Sequence, residues 1–285
     1  MSIEEHMNDA KLLRNYIRTE RASYSALLDS RPASSLYADH IEKWLNRTRR
    51  AWNSLNAKGV KIPDYFLAPY PFPKATFLPE DFEELIKDRN PIFYVAQAKY
   101  QLRAHNILRE FDRCCTLYPE ALDTETTFDI LELSAGGCGG AEVAKHFGNT
   151  YTATDFLAGR GSVYAPIHRA LGLNVIDFDG STTPYSFSDN SFDVVACFQA
   201  IDAYGFEEEY ATFIDEMIRI ARQKVVIIFN PGIRAKREAL ESGFEYLIKA
   251  PLAERYDSIE ISSCPSTGAP AMTIDPRLQC VASST

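Results

Sequence analysis

The 285-residue sequence contains no CxxC pair, no HExxH segment and no Gly-Lys dipeptide. The first two absences leave no spacing for a structural zinc, a thioredoxin-like redox pair or a metalloprotease site, so no metal is expected. The third excludes a P-loop, whose lysine must follow its last glycine to reach the phosphates. The six cysteines are scattered, and adjacent Cys114 and Cys115 are badly placed to bridge to one another. No apolar run approaches the ~18 residues of a membrane span, and the opening "MSIEEHMNDAK" is too acidic for a secretory signal. There is no internal repeat. A reduced, cytoplasmic protein with no membrane partner is expected. Positive charge is also scarce: the net charge is -9, which disfavours a nucleic-acid substrate, because phosphate binding needs clustered Lys and Arg.

What is present falls into two textures that change near residue 125. The first is helical. Leu13, Ile17, Tyr24 and Leu28 fall at helical spacing, as do Tyr37, Ile41, Trp44, Thr48, Trp52 and Leu55, and again Phe93, Ala96, Tyr100, Ile107 and Phe111. Between the second and third sets, "IPDYFLAPYPFPKATFLP" carries five prolines and five Phe or Tyr residues, which rules out regular helix or central strand. This piece reads as a connector packed on its own domain, with a substrate lid or a proline-motif ligand as alternatives. "LNRTRRAW" reads as a solvated basic face.

From Phe128 onward strands and helices alternate. "FDILELS", "TYTATDF", "LNVIDF", "FDVVACF" and "KVVIIFN" are continuous apolar runs, as parallel strands covered on both faces must be. The expectation is a doubly wound, mostly parallel α/β sheet. A helix at "IRAKREALE" and two further strands at "SGFEYLIKA" and "RLQCVASS" would complete it, with "SSCPSTGAP" as a short loop. Residues 1–125 then form a helical cap, or a substrate or oligomerisation region, and residues 126–285 the α/β domain. The N-terminal helices could mediate a homodimer.

The chemistry centres on "ILELSAGGCGGAE", a glycine-rich turn after a strand ending in Glu132. Ligands of open α/β sheets bind beyond the carboxyl ends of the strands, where strand order reverses. A dinucleotide fits poorly. Read as GxGxxG from Gly137, the third glycine is replaced by Glu142, and a pyrophosphate would meet the like charge of Glu132. A sulfonium cofactor instead gains from that carboxylate.

At this point the segment resembles the first motif of class I S-adenosylmethionine-dependent methyltransferases, an acidic residue followed by a glycine-rich turn. Ser134 stands where the family places its first glycine, and the turn looks lengthened by a residue or two. Asp155, about 20 residues beyond Gly136, suits the acid that binds both ribose hydroxyls. "VIDFDGS" resembles the family's acidic segment near the adenine, where Asp177 or Asp179 could accept from the exocyclic amine. Asp179 is favoured because Gly180 lets the chain pass close to a flat base. "SFSDNSFDVVACFQAIDAY" resembles the run into the family's fourth strand, and "SGFEYLIKA" the turn before its sixth. The resemblance covers residues 126–285 and implies a seven-stranded Rossmann-like sheet binding S-adenosyl-L-methionine. The residues it assigns to the cofactor are Glu132, Ser134, Ala135, Gly136, Gly137, Gly139, Asp155, Phe156, Asp179, Gly180, Phe198 and Gln199.

Methyl transfer from a sulfonium is in-line displacement with an activated leaving group, so orientation dominates and the sequence names the cofactor better than the acceptor. A small-molecule acceptor, such as a sugar or secondary metabolite methylated at O, N or C, is expected. "QAIDAYG" occupies the loop where family members contact the acceptor. Asp202 and Tyr204 there, with His168, are the candidates for base or orienting group. Rival readings are a non-catalytic methyltransferase-like scaffold and an NAD-dependent oxidoreductase.

Overall fold

The computed structural model describes residues 34–68, 103–158, 164–205, 209–229 and 250–278. The chain divides into two compact units, one of residues 1–112 with 163–173 and one of residues 113–162 with 174–285.

In the first unit, helix α1 (Ser34–Ala57) buries Trp44, Leu45, Thr48, Ala51, Trp52 and Leu55 along one stripe. This is the spacing read from sequence, and Arg49 and Arg50 of the basic segment lie on the exposed side. Thr48 sits in the apolar stripe because its hydroxyl donates to the Trp44 carbonyl at 3.0 Å. Helix α2 (Arg103–Leu117) begins in this unit and buries Ile107, Leu108 and Phe111. Phe111 meets Phe66 of the Pro-rich stretch edge-on at 5.5 Å. The expected helical set at Leu13–Leu28 lies outside the described residues, as do Phe93 to Tyr100 and most of the Pro-rich piece.

The second unit holds the sheet. Its strands are β1 (Asp129–Leu133), β2 (Thr150–Asp155), β3 (Val175–Asp177), β4 (Phe192–Phe198), β5 (Ala221–Ile228), β6 (Glu260–Ser263) and β7 (Pro270–Ile274). They lie in the order β3-β2-β1-β4-β5-β7-β6. All pairs from β3 to β5 are parallel, and β7 runs antiparallel to both β5 and β6. Helices α3 (Gly139–His146) and α5 (Tyr210–Ile220) belong to this unit, whereas α4 (Ala165–Leu171) belongs to the first. A last helical turn, α6 (Ala250–Ala253), precedes β6.

The five parallel strands form where the apolar runs predict them. Helix α5 buries Tyr210, Phe213, Ile214, Met217, Ile218 and Ile220, one continuous stripe at helical spacing. Each such side chain contributes about 1.5–3 kcal/mol on burial, so this helix anchors its side of the sheet. The last two strands differ from expectation. They are "EISS" and "PAMTI"; of the segment read as a loop, Ser262 and Ser263 end the first strand, Pro270 opens the second, and residues 264–269 are the hairpin turn between them. Of "SGFEYLIKA" only Ala250 is described, and it opens α6. Of "RLQCVASS" only Arg277 and Leu278 are described, beyond the end of β7. β6 gave no apolar signal because all four of its residues are exposed at the sheet edge.

Strand order reverses between β1 and β4, since β1 connects outward to β2 and β3 on one side and β4 to β5 on the other. That switch point, at the carboxyl ends of both strands, is where open α/β sheets bind their ligands. The register pairs Leu133 with Cys197, so Ser134, the first residue past β1, follows beside Phe198, the last residue of β4.

Candidate functional site

The turn after β1 is built on three left-handed residues at alternate positions: Ser134 (φ 54°), Gly136 (φ 55°) and Cys138 (φ 53°). Only one of the three is glycine. The turn is therefore not lengthened, contrary to the sequence reading: it keeps the one-in-two spacing, with serine and cysteine in left-handed places where a side chain costs about 1–2 kcal/mol. Local bonds hold it. Ser134 N–H donates to Thr154 Oγ1 at 3.1 Å, Ala135 N–H to the Thr154 carbonyl at 2.8 Å, and Cys138 N–H to the Ala135 carbonyl at 3.0 Å. Gly137 and Gly139 are buried in the same turn, and Gly139 is the first residue of α3.

Glu132 stands near the end of β1 and is buried. Its Oε2 accepts from Tyr151 Oη at 2.6 Å. The same oxygen lies 2.8 Å from where a Cβ on Gly140 would stand. The carboxylate thus lies beneath the first turn of α3, where the positive end of the helix dipole favours it. Gly140 is needed for that close approach, a role the sequence reading gave to none of the glycines.

Asp155, at the end of β2, is buried beside the turn. Its Oδ2 accepts from Gly136 N–H at 3.1 Å and its Oδ1 from Phe156 N–H at 2.9 Å. Burial pushes its carboxyl up to about 6, against the lowering effect of those two amides. A carboxylate has about four lone-pair sites, so two further donors can still be accepted. Phe156 follows with its ring 42% exposed, unusual for a large apolar residue next to a buried acid. Asp177 Oδ1 accepts from Leu157 N–H at 2.9 Å, which ties the loops after β2 and β3. Asp179 is exposed, and its Oδ1 accepts from Ser181 N–H at 3.0 Å and Ser181 Oγ at 2.6 Å. Those bonds hold its carboxyl below the ordinary value. Gly180 is buried, and a Cβ there would overlap the Tyr204 ring.

Past β4, Gln199 is again left-handed (φ 60°), and its N–H donates to the Ile228 carbonyl at 2.6 Å. Its side-chain oxygen accepts from Arg113 Nη2 at 3.1 Å. The guanidinium has only donors, which fixes the orientation of the amide and turns its NH2 the other way. Arg113 also sits 4.7 Å above the buried Phe198 ring, whose other neighbour is Tyr118 at 6.4 Å. Sequence reasoning missed Arg113, because a lone arginine on a helix gives no signal of a partner 86 residues away.

Asp202 is exposed in the short turn Ile201–Ala203. Tyr204 is buried, its Oη 2.8 Å from Ser134 Oγ, and burial raises the phenol well above its ordinary value. A phenol so placed holds its proton near neutral pH, which leaves it the role of orienting group and removes that of base. His168 belongs to the first unit, where it is buried on α4 with its ring 6.5 Å from that of Tyr164. The structure therefore gathers Ser134, Gly136, Asp155, Phe198, Gln199 and Tyr204 around the carboxyl ends of β1, β2 and β4, and does not place His168 in that unit. Among the described residues there is no group of three or more His, Cys, Asp or Glu able to hold a metal.

The sheet order, the antiparallel β7 and the left-handed turn at the switch point define a Rossmann-like α/β domain of the methyltransferase type. Residues 131–229 match the family model described as a methyltransferase domain. That stretch is a class I S-adenosylmethionine-dependent methyltransferase domain, which implies S-adenosyl-L-methionine as its cofactor. No curated protein matches the chain. Among solved structures, it is similar to an S-adenosylmethionine-dependent methyltransferase from Aquifex aeolicus at 16% identity and a TM-score of 0.33, covering 57% of this chain and 90% of that one. It is likewise similar to one from Methanosarcina mazei at 16% identity and a TM-score of 0.38, covering 54% and 92%.

Proposed function

We propose that the protein transfers the methyl group of S-adenosylmethionine to a small-molecule acceptor. The observation that carries the cofactor site is the buried carboxylate of Asp155 next to the left-handed turn, with two lone-pair sites left for a pair of ribose hydroxyls. Phe156 offers an exposed ring to the adenine, and Asp177 or Asp179 an oxygen to its amine. The backbone of residues 134–139 takes the amino-acid tail, with Gln199 turning its NH2 toward the tail's carboxylate. Glu132, buried near the end of β1, supplies the acidic charge for the cofactor's positively charged tail. The cofactor supplies a methyl group on a sulfonium, already activated for displacement. The chain's own contribution is orientation, worth up to ~7–11 kcal/mol for a well-aligned pair. Asp202, exposed in the loop after β4, is the group placed to take a proton from an acceptor that must lose one.

A small acceptor is favoured by the net charge of -9, which repels polyanions. For residues 1–125 we propose a substrate-recognition or self-association role. Titration calorimetry with S-adenosylmethionine tests the site. The wild type binds, and Asp155→Ala loses at least ten-fold in affinity, since hydrogen bonds to a charged acceptor are each worth about 1.5–3 kcal/mol. No binding by the wild type would sink the proposal. Turnover on a panel of small hydroxyl and amine acceptors, with RNA and DNA as comparison, tests the acceptor class.

A further inference from the structure

The hydroxyl of Ser134 and the phenol of Tyr204 join the loops that follow β1 and β4, 70 residues apart in sequence. Ser134 occupies the first left-handed position of the turn, where glycine would be free of strain and serine is not. Tyr204 is fixed from all sides. Its ring meets Phe178 edge-on at 6.2 Å and Phe213 at 5.9 Å, and it lies directly on Gly180, where any Cβ would overlap it. Cys197 Sγ donates toward its oxygen at 3.8 Å. Cys197 is buried and keeps its proton, which the Tyr204 oxygen receives, while either hydroxyl can donate in the bond between Tyr204 and Ser134.

We infer that Tyr204 is a positioning residue for the cofactor. By its hydrogen bond to Ser134 it holds a strained turn in its left-handed shape, and by packing on Gly180 it sets the loop after β3 against that turn. The inference rests on the turn being the cofactor site. A ligand stretched from Asp155 to the tip of β1 touches both loops, so their separation decides how well it fits. A glycine at position 134 would need no such support, which makes Ser134 and Tyr204 a matched pair.

Titration calorimetry with S-adenosylmethionine on the full chain tests this with Tyr204→Phe, Ser134→Ala and Ser134→Gly, and with Tyr204→Phe combined with each Ser134 change. Losing one neutral hydrogen bond in the site weakens binding by about five-fold. That loss is expected for Tyr204→Phe and for Ser134→Ala, with their combination no worse than either alone. In the Ser134→Gly background, Tyr204→Phe has no further effect. Equal weakening by Tyr204→Phe in the wild-type and Ser134→Gly backgrounds would mean that the phenol supports packing alone, and would overturn the inference. So would no weakening at all. Near-ultraviolet circular dichroism reports whether Tyr204→Phe keeps the native packing. If it does not, Ser134→Ala alone decides the matter, since it removes the bond and leaves the ring in place. A wild type that does not bind would remove the cofactor site itself, and the inference with it, a result separate from the others.

Discussion

Tyr151 donates its phenolic hydrogen to Glu132 across 2.6 Å, one strand over and directly under the start of α3. Both side chains also crowd Gly140, where a Cβ would come within 2.8 Å of the carboxylate and 2.9 Å of the Tyr151 ring. The three residues form one joint between β1, β2 and the first turn of the helix. Removing the donor leaves a buried carboxylate short of one partner. Tyr151→Phe is expected to cost about 1.5–3 kcal/mol in urea unfolding. Gly140→Ala forces the helix away from the sheet and is expected to cost about 1–3 kcal/mol. Because they act on the same joint, the double variant should lose less than the sum of the two.

Asp155 gives the protein a pH signature. Burial raises its carboxyl from 3.8 to about 6, so the folded state favours the protonated form more than the unfolded state does. Its contribution to stability is therefore full below the ordinary carboxylate value of 3.8, and is lost as pH rises through about 6. Binding has the opposite sign, because two ribose hydroxyls need the ionised carboxylate. S-adenosylmethionine affinity is expected to climb between about pH 5 and 7, with proton release on binding, and to flatten above that. Asp155→Asn should abolish both slopes and bind weakly at every pH. Calorimetry in buffers of different ionisation enthalpy measures the released proton directly.

Gly180 is a place where the backbone must come close to a ring. Its buried Cα lies against Tyr204, and its carbonyl accepts from Tyr185 Oη at 3.0 Å. Gly180→Ala is expected to cost about 1–3 kcal/mol by overpacking. It should also weaken S-adenosylmethionine more than Gly148→Ala, a change at a glycine that faces open space but has φ 77°. Thermal melts and binding isotherms of the two variants check the contrast.

The parallel half of the fold was legible because its central strands β1, β4 and β5 carry apolar runs, a pattern that survives without any knowledge of partners. β6 and β7 were not. Each is short, β6 is fully exposed, and what makes them strands is the pairing of β7 with β5 and of β6 with β7 rather than their own composition. The site was legible as residue types in order along the chain, but its geometry depended on distant contacts. Counting glycines suggested a longer turn, whereas alternate spacing from Ser134 through Gly136 to Cys138 would have marked the three left-handed positions. The orientation of Glu132 rests on Tyr151, and the packing of Tyr204 on Gly180 and Ser134. None of these pairs is close in sequence.

At the opposite end of the strands, Arg222 gathers the amino ends of β1 and β4. Its Nη2 donates to Asp129 Oδ2 at 2.7 Å and its Nε to Asp193 Oδ1 at 2.8 Å. Thr150 adds a short bond to Asp129, and Gln223 donates to Asp193 Oδ1 at 2.9 Å. The arginine's bonds hold Asp193 down to about 2, and together with Thr150 they hold Asp129 below its ordinary value. Both shifts are downward, so the stability they contribute is present above about 3.8 and is lost as pH falls toward about 2. The cluster is partly exposed, which limits its worth. Arg222→Gln is expected to cost about 1–2 kcal/mol at neutral pH in low salt, and less at high salt. The sharper expectation lies in the acid limb. If the network is sound, the variant's unfolding free energy falls less steeply than that of the wild type from about pH 4 to 2, because two carboxylates that no longer gain from ionising no longer lose from protonation. Parallel acid limbs in urea titrations would show that Arg222 contributes only as a solvated surface charge. The proposed cofactor site lies at the other end of the same strands, so S-adenosylmethionine affinity at neutral pH should be unchanged in this variant.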